Sequence, residues 1–232
     1  MAEPERQANF NEKNVVVVMV PFPAQGHLNQ LLHLSRLVSA YNIPVYYVAT
    51  TTHCLQARIR VQGWTGVATS DTTHMIHFHQ VPTPAFISPP PNPHAAMKFP
   101  SHLQPSFDAA MLLREPVAAL VALLATTARR VIVIHDSFIP SVVQDVVSRP
   151  NVEAYSFQPV SAFLVACYYA EIVGKPLGIE DEIARKLPRR GATMTSEMME
   201  LISRQKKYHK YSSGVLLKYK IHKGASSNTL RF

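Results

Sequence analysis

Cysteine, tryptophan and glycine are scarce in this chain, and each scarcity excludes something. Of 232 residues, two are Cys, one is Trp and eight are Gly. Cys54 and Cys167 stand far apart in no metal-type spacing, so neither a disulfide framework nor a Cys-based metal site is expected. They read as small core hydrophobes. The glycines include no G-x-G-x-x-G, the turn that a dinucleotide pyrophosphate needs, and a nicotinamide enzyme is poorly supported. No apolar run reaches the roughly 18–20 residues of a membrane span. The start, MAEPERQANFNEK, is polar with no apolar leader segment, so a cytoplasmic protein with reduced thiols is expected. Charged residues make up only 16% against 47% hydrophobic, which excludes a largely disordered chain.

Acid is missing from one stretch alone. Residues 1–203 hold 15 Lys/Arg and 15 Asp/Glu, which cancel. Residues 204–232 hold eight Lys/Arg (Arg204, Lys206, Lys207, Lys210, Lys218, Lys220, Lys223 and Arg231) and no acid. The net charge of +8 therefore belongs to the last 29 residues. A globally basic protein seeking nucleic acid or a membrane surface is not what this pattern describes.

What is present is an alternation of strand and helix patterns. VVVVMV from Val15 is an apolar run without polar alternation, as in a parallel strand buried on both faces. PFPAQGH follows as a turn, then LNQLLHLSRLVSAY, where Leu28, Leu31, Leu32, Leu34, Leu37 and Val38 recur at helical spacing. IPVYYVAT is a second apolar strand, which completes a βαβ unit. TTHCLQARIRVQG predicts a short helix and MIHFHQV a strand. The proline-rich 81–100 stretch predicts an irregular loop. SHLQPSFDAAMLLREPVAALVALLATTA predicts one long helix or a broken pair, with Pro116 interrupting the pattern. RRVIVIHD is a strand, SFIPSVVQDVVSRP a helix, VEAYSF a fifth strand and SAFLVACYYAEIV an apolar helix. A loop-like 175–195 leads to a helix in TSEMMELISRQKKYHKY, opened by Thr195/Ser196 with Glu197 and Glu200. The fold class expected is α/β: a Rossmann-like, open, mostly parallel sheet with helices on both faces.

In such a sheet, ligands bind beyond the carboxyl ends of the strands. His27 follows the first strand and Asp136 closes RRVIVIHD, so the two share one rim. A neutral imidazole there can accept a proton, and a carboxylate can fix its tautomer and stabilise the imidazolium. A His at a helix start and an Asp after a strand also fit a bland reading of capping and solvation, and spacing alone favours that one. His74, His77 and His79 invite a metal reading, but no acidic or Cys partner accompanies them, and no metal site is expected.

At these residues the chain resembles a known family. VVVVMVPFPAQGHLNQLLHLSRLVSAYNIPVYYVATTTH is similar to the amino-terminal signature of plant UDP-dependent glycosyltransferases of small molecules, nearest to the zeatin-type O-glucosyltransferases. QARIRVQGW, LREPVAALVALLATTARRVIVIHDSF and NVEAYSFQPVSAF extend the likeness from about Asn14 to about Leu217. The resemblance implies the first domain of a GT-B fold, with His27 as general base and Asp136 as its orienter. It implies transfer of glucose or xylose from a UDP-sugar to a hydroxyl of a small acceptor, such as a cytokinin or another hydroxylated metabolite, with inversion. UDP-glucose would be co-substrate, and no cofactor, metal, nucleic acid or membrane partner is implied. Gln25 and Gly26 of the same box, and Phe138 and Phe157 at strand ends, are expected to wall the acceptor cleft with the 81–100 loop. For Phe157, which ends a buried strand, ordinary core packing is the competing reading.

The departures carry their own expectation. The family's donor box contains a Trp for uracil, a His-x-Gly-Trp-Asn-Ser stretch, a Glu and an Asp-Gln, and none of these is here, since Trp64 is the only Trp. After GVLL the chain reads KYKIHKGASSNTLRF, basic and unlike the family. Residues 1–13 are expected to be disordered, 14–217 to form a truncated acceptor domain, and 218–232 to be a basic tail. Catalysis by this chain alone is therefore not expected. A non-catalytic acceptor-binding protein and a basic-tailed interaction protein stand as the alternatives.

Overall fold

The computed structural model describes residues 15–62, 75–84, 90, 94, 104–161 and 196–218. VVVVMV forms β1 (Val15–Val20) and leads through PFPA into α1 (Gln25–Ser39). That helix stops where Asn42 adopts a φ of 57°, a left-handed conformation that Asn tolerates better than most side chains. Pro44 follows, and its carbonyl accepts from the Val17 amide at 3.0 Å, which seats the next strand beside β1. β2 (Val45–Thr50), α2 (Thr51–Gln62) and β3 (Ile76–Val81) complete the first half. The second half comprises α3 (Gln104–Ala110), α4 (Arg114–Leu124), β4 (Arg130–Asp136), β5 (Val152–Ser161), α5 (Ser196–Lys206) and β6 (Gly214–Lys218).

The six strands form one sheet in the order β3-β2-β1-β4-β5-β6, with every neighbouring pair parallel. Parallel strands buried on both faces need apolar side chains at every position, and β1 supplies them. Val16, Val18 and Val20 pack on one face with Val117 and Val121 of α4, while Val17 and Met19 pack on the other with Leu31 and Leu32 of α1. Fully burying one such side chain contributes roughly 1.5–3 kcal/mol, so the central strand is a main source of stability. Because α1 and α4 cover opposite faces, the chain reverses its winding between β1 and β4. In doubly wound sheets the ligand crevice lies at that reversal, beyond the carboxyl ends of the two central strands. Among the described residues, no helix is long and apolar enough to cross a membrane.

Three local expectations differ from the structure. The long helical pattern breaks at Met111–Leu113, a 3-10 turn, rather than at Pro116. Pro116 instead sits in the first turn of α4, where its missing amide costs nothing because that amide has no intrahelical acceptor. SFIPSVVQDVVSRP is not an α-helix: only Pro140–Val143 is helical, as a 3-10 turn, followed by further i→i+3 bonds such as Val146 N–H to Val143 O at 3.2 Å. Its run of β-branched valines loses side-chain freedom in an α-helix, and the tight turns let Val142, Val143 and Val146 all reach the core. Finally, the helix of TSEMMELISRQKKYHKY ends at Lys206, with a 3-10 turn at His209–Tyr211, and GVLL beyond it forms β6, at the edge of the sheet among the described residues and paired to β5 from Tyr155↔Gly214 onward. The expected helix at SAFLVACYYAEIV, the 175–195 loop, both terminal segments and Cys167 lie outside the described residues, as does most of the 81–100 loop.

Candidate active site

His27 is the third residue of α1, and Asp136 is the last residue of β4. The structure brings them together: His27 Nδ1 lies 2.7 Å from Asp136 Oδ2. The carboxylate has no solvent exposure, and the imidazole keeps 18% of its surface open. A carboxylate only accepts, so Nδ1 carries the proton and donates it, and in the neutral imidazole this leaves Nε2 with a bare lone pair. Among the described residues, no side chain or backbone group satisfies that lone pair. The second carboxylate oxygen is also engaged, since Oδ1 accepts from the Phe138 amide at 3.0 Å. Asp136 thus cannot rotate away from His27 without losing a bond inside its own turn.

Aromatic rings fix the imidazole from its sides. The Phe22 ring centroid is 5.3 Å from that of His27, and the Phe138 centroid is 5.2 Å away. Phe22 in turn packs on Phe107 at 4.4 Å and on Phe138 at 5.4 Å. Such pairs add about 0.5–1.5 kcal/mol each beyond their buried area and hold ring planes in register. Neither Phe22 nor Phe107 was singled out by sequence reasoning. Phe22 sits inside the PFPAQGH box, and its place between two prolines after a buried strand was the available signal.

The remaining expected site residues divide. Gln25 and Gly26 are exposed in the first turn of α1, and the space in front of Gly26 is open: a Cβ built there meets nothing within 4 Å. Phe138 is partly exposed against His27, at the mouth of the crevice. Phe157 is different. Its ring is 7% exposed and belongs to the core on the α1 face, with Met19, Leu31 and Ile134. Side chains alternate along β5, and position 157 falls on the packed face, so its ring serves the core rather than an open wall.

Several polar groups around the rim were read as bland or not at all. His53 is buried in the first turn of α2, just after β2; its Nδ1 is 2.7 Å from Thr50 Oγ1 and its Nε2 is 3.2 Å from Ser106 Oγ. Burial first, and Arg60 second, lower its pKa, so it is a neutral brace tying α3 to β2. His135 is fully buried beside Asp136, and burial pushes its pKa down to about 4. Cys54 is buried with its thiol pushed up to about 11, which makes it an inert core residue. Among the described residues no three His, Cys, Asp or Glu side chains gather as a metal site; His77 and His79 lie on β3, and His74 is outside the described residues.

Comparison with known proteins gives a single direction. The family model described as "Glycosyltransferase, N-terminal domain" matches residues 13–221. The chain is 44% identical over 204 residues to a zeatin O-glucosyltransferase of Phaseolus lunatus, and 42% identical over 204 residues to a zeatin O-xylosyltransferase of Phaseolus vulgaris. Each match covers 88% of this chain and 42% of the relative, so the chain spans about four-tenths of the length of these curated relatives. Among solved structures, Glycyrrhiza uralensis UGT73P12 complexed with glycyrrhetinic acid 3-O-monoglucuronide superimposes with a TM-score of 0.59 at 17% identity, over 89% of this chain and 44% of that one. Arabidopsis thaliana UGT89C1 complexed with UDP gives 0.54 at 16% identity, over 88% and 45%. These two likenesses concern the fold.

Proposed function

The chain belongs to the glycosyltransferase N-terminal-domain family, and from that premise we propose that it is the acceptor-binding half of a UDP-sugar-dependent O-glycosyltransferase. The observation that carries the reading is the 2.7 Å His27–Asp136 bond at the crevice between β1 and β4, with Nε2 bare. In the proposed reaction an acceptor hydroxyl donates its proton to His27 Nε2 as its oxygen attacks the anomeric carbon of the sugar. A new C–O bond forms on the face opposite the diphosphate, the bond to UDP breaks, and configuration inverts. Asp136 keeps the imidazole in the tautomer that can accept, then balances the imidazolium charge. Phe22 and Phe138 hold the ring planes, and the open first turn at Gln25 and Gly26 leaves room for a bound molecule.

The acceptor proposed is a hydroxylated cytokinin of the zeatin type. This follows the names of the two Phaseolus relatives, and the apolar ring of Phe138 beside the base suits an isoprenoid-purine. Glucose and xylose are both admitted as the sugar. A cytoplasmic location belongs to the same proposal.

Catalysis by the 232 residues alone is not part of it. A positioned base supplies only about 10²–10⁴-fold. Positioning the reactants is worth roughly 7–11 kcal/mol, and each preorganised donor to a developing anion about 3–4 kcal/mol. The sequence holds none of the residue types of the family's donor box in order, and its single Trp is Trp64. The test is a pair of titrations on the purified chain, followed by a turnover assay. Saturable binding of trans-zeatin with no binding of UDP-glucose supports the acceptor-half reading. No zeatin binding removes the cytokinin, and glucoside formed above a His27→Ala control shows that the chain is complete as an enzyme.

A further inference from the structure

We propose that His135 is a positioning residue for the His27–Asp136 pair, acting through the backbone carbonyl of Asp136. The inference rests on the acceptor-half reading for its purpose, though not for its geometry. His135 is the penultimate residue of β4 and has no solvent exposure. Its Nδ1 lies 2.9 Å from the carbonyl oxygen of Asp136, and its Nε2 lies 2.8 Å from Ser212 Oγ. A carbonyl can only accept, so Nδ1–H donates to it and the Ser212 hydroxyl donates to Nε2. Both ring nitrogens are satisfied in a single tautomer.

The carbonyl it holds is the hinge of the site. Asp136, Ser137, Phe138 and Ile139 form a tight turn in which Ile139 N–H reaches the Asp136 carbonyl at 3.1 Å and Phe138 N–H reaches Oδ1 at 3.0 Å. Ser137 N–H is fixed to the Phe157 carbonyl at 3.0 Å. Every one of those bonds is internal to the turn or to the sheet. Among the described residues, His135 is the one side chain that grips the turn's carbonyl from outside. Through Ser212 it ties the turn to the segment entering β6. Rotating the peptide plane that carries this carbonyl moves the Phe138 amide off Oδ1 and frees the carboxylate to leave Nδ1; the His27 proton can then sit on Nε2, which removes the lone pair from that nitrogen. A side chain that only filled space at this position would need no such pair of bonds.

The experiment reads the His27 tautomer by imidazole ¹⁵N NMR in the full chain, with no sugar donor or acceptor present, using a His27→Gln spectrum for assignment. The wild-type chain is expected to show His27 protonated at Nδ1 and bare at Nε2. His135→Asn places an amide N–H near the position of Nδ1 and keeps the grip on the carbonyl, so the His27 signal should stay as in wild type. His135→Gln reaches toward Ser212 instead, and the ratio of Nδ1–H to Nε2–H at His27 should fall about threefold to tenfold, the scale of one lost hydrogen bond. Equal spectra in the two folded variants overturn the proposal, because space-filling alone does not distinguish them. If either variant fails to fold, by amide dispersion, the wild-type chain decides: a scalar coupling across the hydrogen bond from His135 Nδ1 to the Asp136 carbonyl supports the grip, and its absence overturns it. Loss of the glycosyltransferase reading would leave these signals unchanged, so the two ideas fail separately.

Discussion

Acidification should destabilise the fold through His135 in a narrow pH window. Burial lowers its pKa to about 4, with the Asp136 carbonyl and carboxylate pulling it back up and His209 pushing it down. The ordinary value is about 6.5, so between these limits the unfolded chain binds a proton that the folded chain refuses. The unfolded state holds more protons there, and stability therefore rises with pH across the window and falls as pH drops from about 6.5 to about 4. At 1.36 kcal/mol per pKa unit the full effect is about 3 kcal/mol, of which about 2 kcal/mol is lost between pH 7 and 4.5. His53, whose pKa is also lowered by burial, acts in the same direction. Against a typical domain stability of about 5–15 kcal/mol this is a visible fraction. The assay is urea denaturation of the wild-type chain and of His135→Asn at half-unit steps from pH 7 to 4.5. The wild-type midpoint should fall more steeply than that of the variant, by a difference that integrates to about 2 kcal/mol. Parallel curves would refute the burial argument, because the carboxylates common to both proteins would then explain the whole loss.

Other expectations follow from single contacts. Tyr47, buried with its hydroxyl donating to the Leu28 carbonyl at 3.0 Å, should lose about 0.5–1.5 kcal/mol as Tyr47→Phe, read from the urea midpoint. Phe22→Ala should cost about 3–5 kcal/mol and raise the His27 side-chain mobility seen by NMR, since Phe22 is fully buried and contacts His27, Phe107 and Phe138. Cys54 should resist iodoacetamide at pH 8 in the native chain and react only with unfolding, because its thiol is pushed to about 11; rapid native labelling of its tryptic peptide would contradict that. Val215→Lys should reduce self-association measured by light scattering, because β6 is an edge strand with Val215 and Leu217 exposed.

The two-sided burial of β1 was legible because six consecutive strand-formers have no other economical place in an α/β domain. The winding followed from the alternation of strands and helices, and with it the shared rim of His27 and Asp136. Their hydrogen bond did not follow from spacing, which over 109 residues favoured two unrelated solvated groups; the pairing was expected only through the family resemblance. What stayed hidden depended on packing. Phe157 and Phe138 look alike in sequence, but strand alternation sends the first into the α1-face core and the turn after Asp136 leaves the second at the crevice. The break at Met111–Leu113 carries no Gly or Pro, so nothing local announces it. β6 is five residues long and gains its strand conformation from pairing with β5 rather than from propensity. His135 was invisible as a support because its partners, a backbone carbonyl and Ser212, leave no pattern in sequence.

The central claim is that His27, oriented by Asp136, removes the acceptor proton. Joining residues 1–217 to the remaining length of the 44% identical Phaseolus lunatus zeatin O-glucosyltransferase tests it with a complete pair of domains. Initial rates of zeatin glucoside formation from UDP-glucose would be compared for the chimera, its His27→Ala variant and its Asp136→Asn variant. The account predicts a loss of about 10²–10⁴-fold for His27→Ala and a smaller loss for Asp136→Asn, since an undirected imidazole still accepts a proton for part of the time. An active chimera whose His27→Ala variant keeps the parental rate would contradict it.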